Sequence, residues 1–256
     1  MSDGVYSTKL KNGNPSYRSS FTFKNRHISL GSFDCFEKAN TVYMEARRIS
    51  TESISIDEYN SSFSISFEKF VTIINFRDNN VYIKNPIYLK KNFFNYYLSP
   101  ALVLTFDIDD LFYYSNHKIQ KRGNRLFCAD FGMQITLNSR YGIKNNAVIG
   151  KDVIFINGDI YDYRYNNIEI RNKYYGVDIT SDNLFKVHIH INGNVIVGVY
   201  DNVITAAIAY NKAADYLNQN HINKNYNQNY IEEISAKEYA EIYSSIDINN
   251  FIKKLS

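Results

Sequence analysis

Three groups of side chains in this sequence are of types and spacings that can do chemistry. Asp107, Asp109 and Asp110 fall within four residues, a carboxylate density able to hold a divalent cation. No distal partner acids accompany them, so they are read as helix-capping or turn acids. His188 and His190 lie two apart, on one face of any strand they occupy, a spacing that can chelate a metal. With no cysteine or carboxylate obviously beside them, they are read as structural or ligand-facing rather than as metal ligands. The third group is cationic: Lys118, Lys121, Arg122, Arg125, Arg140, Lys144, Lys151 and Arg164 can pair with phosphates. No catalytic residue, metal site or cofactor is assigned from these groups.

The chain has 256 residues, 29 Lys and Arg against 26 Asp and Glu, and a net charge of +3. Apolar residues make up 45%, which excludes an intrinsically disordered chain, and only 3 Pro and 11 Gly exclude collagen-like or linker-dominated architectures. Charge alternates along the chain: +4 over residues 1–50, −3 over 51–115, +4 over 116–171 and −2 over 172–256. Separate basic blocks suit a polyphosphate partner, although swings of this size also arise as ordinary surface variation. Cys35 and Cys128 cannot make a disulfide framework and fit a reducing compartment. The start, Met-Ser-Asp-Gly-Val-Tyr, lacks the regions of a signal peptide. The longest apolar stretch, Tyr96 to Phe106, is broken by Ser99 and Pro100 and falls short of a membrane span. A cytoplasmic protein without membrane contact is expected.

The elements that must position these groups begin with residues 1–50. Gly4 to Lys9 reads as a strand, followed by a turn at Lys11 to Pro15. Tyr17, Ser19, Phe21 and Phe23 alternate with Arg18, Ser20 and Thr22, the period of a half-buried strand. Lys24-Asn25 turns the chain into a third strand with Ile28 and Leu30 inward. Asp34 and Glu37 form a capping-box pattern, predicting a helix from Cys35 to about Arg48 whose Phe36, Ala39, Val42, Tyr43 and Ala46 cover the sheet. The opposite sheet face would carry Tyr6, Thr8, Arg18, Ser20, Thr22, His27 and Ser29. It is polar, basic and nearly free of acids, and a three-stranded ribbon matches the width of the DNA major groove. A merely solvated face is the plain alternative.

Gly4-Val5-Tyr6, Tyr17-x-Ser19-x-Phe21, Leu30-Gly31-Ser32-Phe33 and the helix Phe36-Glu37-Lys38-Ala39-Asn40-x-x-Tyr43 resemble the apetala/ERF-type DNA-binding domain. Tyr17 stands for that family's Trp, and Ser19 and Asn40 for Ala. The resemblance implies binding of duplex DNA through the sheet, with Tyr6, Thr8, Arg18, Ser20, Thr22 and His27 as its contacts. The pattern recurs near the end of the chain. Tyr175-Gly176-Val177 opens a strand; Phe185, Val187, Ile189 and Ile191 alternate with Lys186, His188 and His190; Asn192-Gly193 is a hairpin turn. Gly198-Val199-Tyr200 matches Gly31-Ser32-Phe33, and the helix Ile204 to Ala214 is closer to the family's Ala-rich pattern. Asn225-Tyr226-Asn227-x-Asn229-Tyr230-Ile231 resembles the tail that follows bacterial and phage versions. Lys186, His188 and His190 inherit the same role, on a less basic face. Ser235-x-x-Glu238 caps a short helix, Asp247 begins another, and Ile242, Ile246, Ile248, Phe251 and Ile252 offer an apolar side for packing or a homodimer.

Residues 51–115 read as strand-rich, as at Ser62 to Phe67 and Val81 to Ile83. Further on, Val153 to Ile168, with Asn157-Gly158-Asp159, Asp162, Arg164 and Asn167, resembles the core of HNH endonucleases. That resemblance implies a ββα unit whose strand ends in a metal ligand and a general base, an imidazole that deprotonates water. Here Ile154 and Phe155 stand at those positions and Tyr163 replaces an orienting Asn, so the site reads as dead. His117, some forty residues upstream, could substitute only through an unusual geometry. Without base and metal, Lys121, Arg122, Arg125 and Arg164 remain as grip on DNA.

The expected protein is α+β. Small modules of three-stranded antiparallel sheet plus one helix, at 1–50 and 173–256, flank a β-rich segment at 51–115 and a degenerate ββα HNH-like unit at 116–172. Its expected function is sequence-specific binding of double-stranded DNA without cleavage, as a nucleoid-associated transcriptional regulator derived from a mobile bacterial or phage endonuclease. A metal-dependent HNH homing-type endonuclease with a rearranged site, and a protein-interaction module of phage–host conflict, are the alternatives.

Overall fold

Short strands separated by tight turns dominate the computed structural model, which describes residues 4–130, 133–220 and 226–253. The architecture is α+β, with four three-stranded sheets and one two-stranded sheet among the described residues. The chain divides into two units. One holds residues up to Ile135 together with Asp159–Tyr165; the other holds Thr136–Gly158 and the chain from Asn166 on.

In the first unit, β1 (Val5–Lys9), β2 (Pro15–Phe23) and β3 (Arg26–Phe33) form an antiparallel sheet in chain order. Lys24 and Asn25 adopt φ of 44° and 60°, the left-handed pair that a two-residue hairpin needs for its twist. Helix α1 (Phe36–Thr51) packs one face of this sheet, and Val5, Phe21, Ile28 and Leu30 meet Ala39, Val42, Tyr43, Ala46 and Ile49 in one core. The capping box is not formed. The helix begins one residue later, with Cys35 as N-cap and no side-chain cap bond, which leaves Asp34 outside the first turn.

The segment after α1 shares that core, but the strands expected there are replaced. Ser62–Ser66 is irregular because Glu45 takes its amides: Ser64 N donates at 3.0 and 2.9 Å and Ile65 N at 2.8 Å. A chain whose amides are spent on a carboxylate cannot enter a ladder. Helix α2 (Phe67–Asn79) follows, and residues 81–83 are likewise not a strand. Buried Asn75 organises this turn of chain, its Nδ2 donating to Val81 O at 2.8 Å and its Oδ1 accepting from Leu89 N at 2.9 Å. The strands lie further on, as β4 (Ile87–Leu89), β5 (Phe93–Ser99) and β6 (Leu102–Asp107). Helix α3 (Leu111–Asn116) and the sheet of β7 (Ile119–Arg122), β8 (Arg125–Asp130) and β9 (Met133–Thr136) complete the unit.

In the second unit, α4 (Leu137–Arg140) precedes β10 (Val153–Phe155), which pairs antiparallel with β11 (Ile168–Ile170). The helix expected to complete a ββα unit is reduced to one 3-10 turn, Tyr165–Asn167. Asn167 ends it by accepting Ile156 N on its carbonyl and Asn157 N on its side chain, at 2.9 and 2.8 Å. Then β12 (Val177–Ile179), β13 (Phe185–His190), β14 (Asn194–Tyr200) and α5 (Val203–Gln219) repeat the opening module.

The repetition extends to its irregularities. Val5 pairs Ser19 and Val177 pairs Val187; each middle strand then meets a bulge, between Ser19 and Ser20 and between Val187 and His188. In each copy the amide after the bulge reaches back to the opening glycine, Ser20 N to Gly4 O at 2.9 Å and His188 N to Gly176 O at 2.8 Å. Tyr43 and Tyr210 lie against those glycines at equivalent helix positions. The copies differ at two buried points. Ser19 Oγ and Asn40 Oδ1 have no hydrogen-bond partner among the described residues, where the second copy has buried Val187 and Ala207. Ser19→Ala and Asn40→Ala should each stabilise the protein by about 1 kcal/mol, because each removes a buried polar atom that gave up water without replacement. A urea titration that found either variant less stable than the parent would contradict the assignment.

Helix α6 (Ala236–Ser245) carries the expected capping box, with Ser235 and Glu238 bonded reciprocally, and α7 (Asn250–Lys253) follows. The apolar side expected to support a homodimer is spent internally: Ile246, Ile248 and Ile252 are buried in the second module's core and Ile242 packs against it. The side chain of Phe251 and residue Asn225 lie outside the described residues.

Candidate nucleic-acid interface

With α1 on one side, the first sheet leaves its other side open. Register sets Tyr6, Arg18 and Ser32 in one row across the three strands, Ser20 beside Ser29, and Thr22 beside His27. Tyr6 is 59% exposed, and Arg18, Thr22, His27, Ser29 and Ser32 are exposed with it. Two expected contacts are compromised. Ser20 is only 8% exposed at the centre of the sheet, and the Thr8 hydroxyl donates to Ser16 O at 3.2 Å. The strands contain Lys9, Arg18, Arg26 and His27 and no acid. Arg26 stacks over Tyr82 at 4.8 Å, so Arg18 and His27 are the cationic and titratable groups of the face itself.

The second copy presents a different surface on the same frame. Asp178 is opposite Lys186 in the register, and its carboxylate accepts from His188 Nδ1 at 3.1 Å. The sequence had shown no carboxylate beside this histidine; strand pairing supplies one from ten residues away. His190 Nδ1 lies 3.0 Å from Asn194 Oδ1. Ile196 and Val199 are 47% and 52% exposed where the first copy has Ser29 and Ser32. Lys186, His188 and His190 therefore share a face, but one that is neutral and partly apolar. Asn229 closes the module from behind, exchanging amide bonds with Asn211 at 2.7 and 2.8 Å and with Tyr175 at 2.8 and 3.1 Å.

The cations of residues 118–164 are not one patch. Lys118 pairs with Glu68 at 2.6 Å. Lys144 is buried, pairing with Asp152 at 3.0 Å and donating to Val177 O at 2.8 Å. Arg164 is spent on buried Asp162, through bonds of 2.6 and 2.9 Å, and lies over Phe93 at 5.2 Å. The Asp162 bonds push the Arg164 guanidinium pKa up, holding its charge in that pair. Lys144 is structural, Arg164 is half-buried on its carboxylate, and Lys118 keeps half of its side chain exposed in its ion pair. Lys121, Arg122 and Arg125 lie together at the exposed tip of the β7–β8 hairpin, where Arg122 is directly opposite Arg125 and donates to Gln134 Oε1 at 3.0 Å, while Arg140 and Lys151 are exposed in the second unit. The Gly123-Asn124 pair between two alternating segments was a legible hairpin signal.

The strand expected to carry HNH chemistry is a packing strand. Phe155 is buried, Ile154 half-buried, and Tyr163 is buried against Phe106 at 5.6 Å, its pKa pushed up to about 12 by burial. His117 stacks on Tyr113 at 4.1 Å with Nδ1 2.9 Å from Tyr113 O. Two of the acids at 107–110 hold Tyr165: Asp107 Oδ2 accepts its backbone N at 2.7 Å, and Asp110 Oδ1 accepts its hydroxyl at 3.2 Å. Among the described residues no three His, Cys, Asp or Glu side chains converge on a metal position, and no helix is long and apolar enough to cross a membrane. Comparison with protein families, curated proteins and solved structures finds no match to the chain.

Proposed function

We propose that this protein binds double-stranded DNA through the open face of its first module and does not cut it. The observation that carries the reading is the row Tyr6–Arg18–Ser32 with Thr22–His27 beyond it, on a sheet whose strands contain no carboxylate. Three strands at about 4.8 Å spacing make a ribbon about 10 Å wide, against a major groove about 12 Å wide. Arg18 supplies the guanidinium fork that reads guanine or phosphate, and the hydroxyls and His27 supply donors at intermediate depth. Reading of sequence belongs to the first copy; the second, with Asp178 and two exposed aliphatic side chains, gives less to a polyanion. Apolar groups at Ile154 and Phe155 leave the HNH-like strand without a base or a metal ligand, which supports a regulator descended from a mobile endonuclease over an active one.

Selection of bound duplexes from a random pool, with and without magnesium, tests this. Intact enriched sites are expected in both arms, and Arg18→Ala or His27→Ala should lower affinity for the selected site by about tenfold or more, the worth of a good base contact. Cut products would support the nuclease; no enrichment would refute the DNA reading.

A further inference from the structure

Beside the basic hairpin, within the first unit, lies a recess of about 470 Å³ lined by Leu98, Ser99, Ala101, Leu102, Lys121 and Tyr161. We infer that it seats a single unpaired nucleotide unit of a nucleic-acid strand, the base against Tyr161 and the phosphate on Lys121. This deepens the nucleic-acid reading and rests on it, but it uses none of the sheet-face residues.

Leu98 to Leu102 come from the turn joining β5 to β6 and its flanks, Lys121 from β7, and Tyr161 from the loop after β10. Tyr161 O accepts Thr105 N at 3.0 Å and Tyr161 N donates to Asp159 Oδ1 at 2.9 Å, so the ring, 37% exposed, stands on a fixed backbone. Leu98, Ala101 and Leu102 give the recess an apolar side; Lys121 gives it one cation. An inorganic phosphate would leave the ring and the aliphatic wall unused, and an apolar molecule would leave Lys121 unused. An aromatic ring joined to a phosphate uses both, and the volume falls in the range that holds ligands of that size.

The hairpin tip favours a strand over a free nucleotide. Arg122 and Arg125 are directly opposite each other across the turn, an arrangement that costs stability in the absence of an anion. Strand alternation turns Arg122 and Arg125 to the face of the hairpin opposite Lys121, so a chain of phosphates leaving the recess past Lys121 meets these two cations by rounding the turn, and relieves their repulsion there. Stacking on an aromatic side chain accepts any base, so the recess would grip without reading sequence.

The test compares the full chain's affinity for single-stranded oligothymidylate of about ten nucleotides, within the usual site size, and for an abasic phosphodiester of the same length. Oligothymidylate should bind about tenfold tighter, within the contribution of one stacked base. Tyr161→Ala should erase that preference. Tyr161→Phe should keep it, and Arg122→Ala with Arg125→Ala should weaken both oligomers alike. Equal affinity for the two oligomers, or a preference that survives Tyr161→Ala, would overturn the inference. Free thymidine monophosphate binding as tightly as the oligomer would overturn the strand as its source. Arg18→Ala with His27→Ala should abolish duplex selection and leave the base-dependent preference intact. A chain that keeps duplex selection but shows no such preference loses the recess alone; one that keeps the preference but selects no duplex loses the sheet-face reading alone.

Discussion

Alanine at Gly176 is expected to lower stability by about 3–5 kcal/mol, enough to unfold the second module's entry. The residue has φ of +68°, and an added Cβ would lie 2.2 Å from Tyr210 Cδ2 and 2.7 Å from His188 O. A residue with a side chain held in that backbone region costs about 1–3 kcal/mol, and forcing a methyl against a packed ring and a carbonyl costs about as much again. Neither neighbour can yield, because Tyr210 belongs to the core and the His188 carbonyl belongs to the bulged strand. Gly4→Ala should behave alike, with φ of +110° and contacts of 2.3 Å to Tyr43 and 2.6 Å to Ser20 O. Gly13 supplies the control: φ is +84° but nothing lies within 4 Å, so Gly13→Ala should cost only the backbone term. Thermal melts of the three variants check this. Equal effects at Gly13 and Gly176 would show that close approach of the helix tyrosine contributes nothing.

Lys144→Met is expected to cost about 3–5 kcal/mol, because it strips the countercharge from a buried carboxylate. Asp152 is 3% exposed and keeps only Asn172 Nδ2 at 2.6 Å and Val148 N at 2.8 Å once the ammonium is gone. Lys144 also loses its bonds to the carbonyls of Tyr174 and Val177, which tie the start of the second module to the loop before β10. Removing both partners as Lys144→Met with Asp152→Asn should cost less than the sum of the single changes, with a coupling of about 1–3 kcal/mol. Urea denaturation of the four proteins of this cycle measures it; strict additivity would mean the two groups do not hold each other.

Both repeated modules were legible because their strands alternate outside one bulge in each middle strand and each helix keeps an apolar stripe. Ile28 and Leu30 inward, with His27 and Ser29 outward, is a pattern that only one register satisfies. Helix α2 escaped because residues Phe70 to Phe76 are all buried, so no polar face marks a helical period. The Ser62–Phe67 alternation imitated a strand, but its Ser64 and Ile65 amides are taken by the Glu45 carboxylate nineteen and twenty residues earlier. At the candidate site, type and exposure of Arg18 and His27 could be read from strand parity alone. The pairing of Lys118 with Glu68 could not, since it exists only once distant segments meet, and that of Lys144 with Asp152 closes an irregular loop that has no period to mark it. Arg164 is the nearer miss: Asp162 two residues before it was visible, but its burial was not.

The face of β1–β3 is the centre of the account, and charge reversal at Arg18 tests it most directly. Fluorescence anisotropy of the full chain with a duplex recovered by selection, followed across a salt series, should give an affinity that falls linearly on logarithmic axes. Arg18→Glu should then lose about a hundredfold or more in affinity at low salt while its thermal melt stays that of the parent, and Arg18→Ala should flatten the slope by about 0.9 if Arg18 neutralises a phosphate. Binding by Arg18→Glu equal to that of the parent, or no duplex binding by the parent even at about 50 mM salt, would contradict the account.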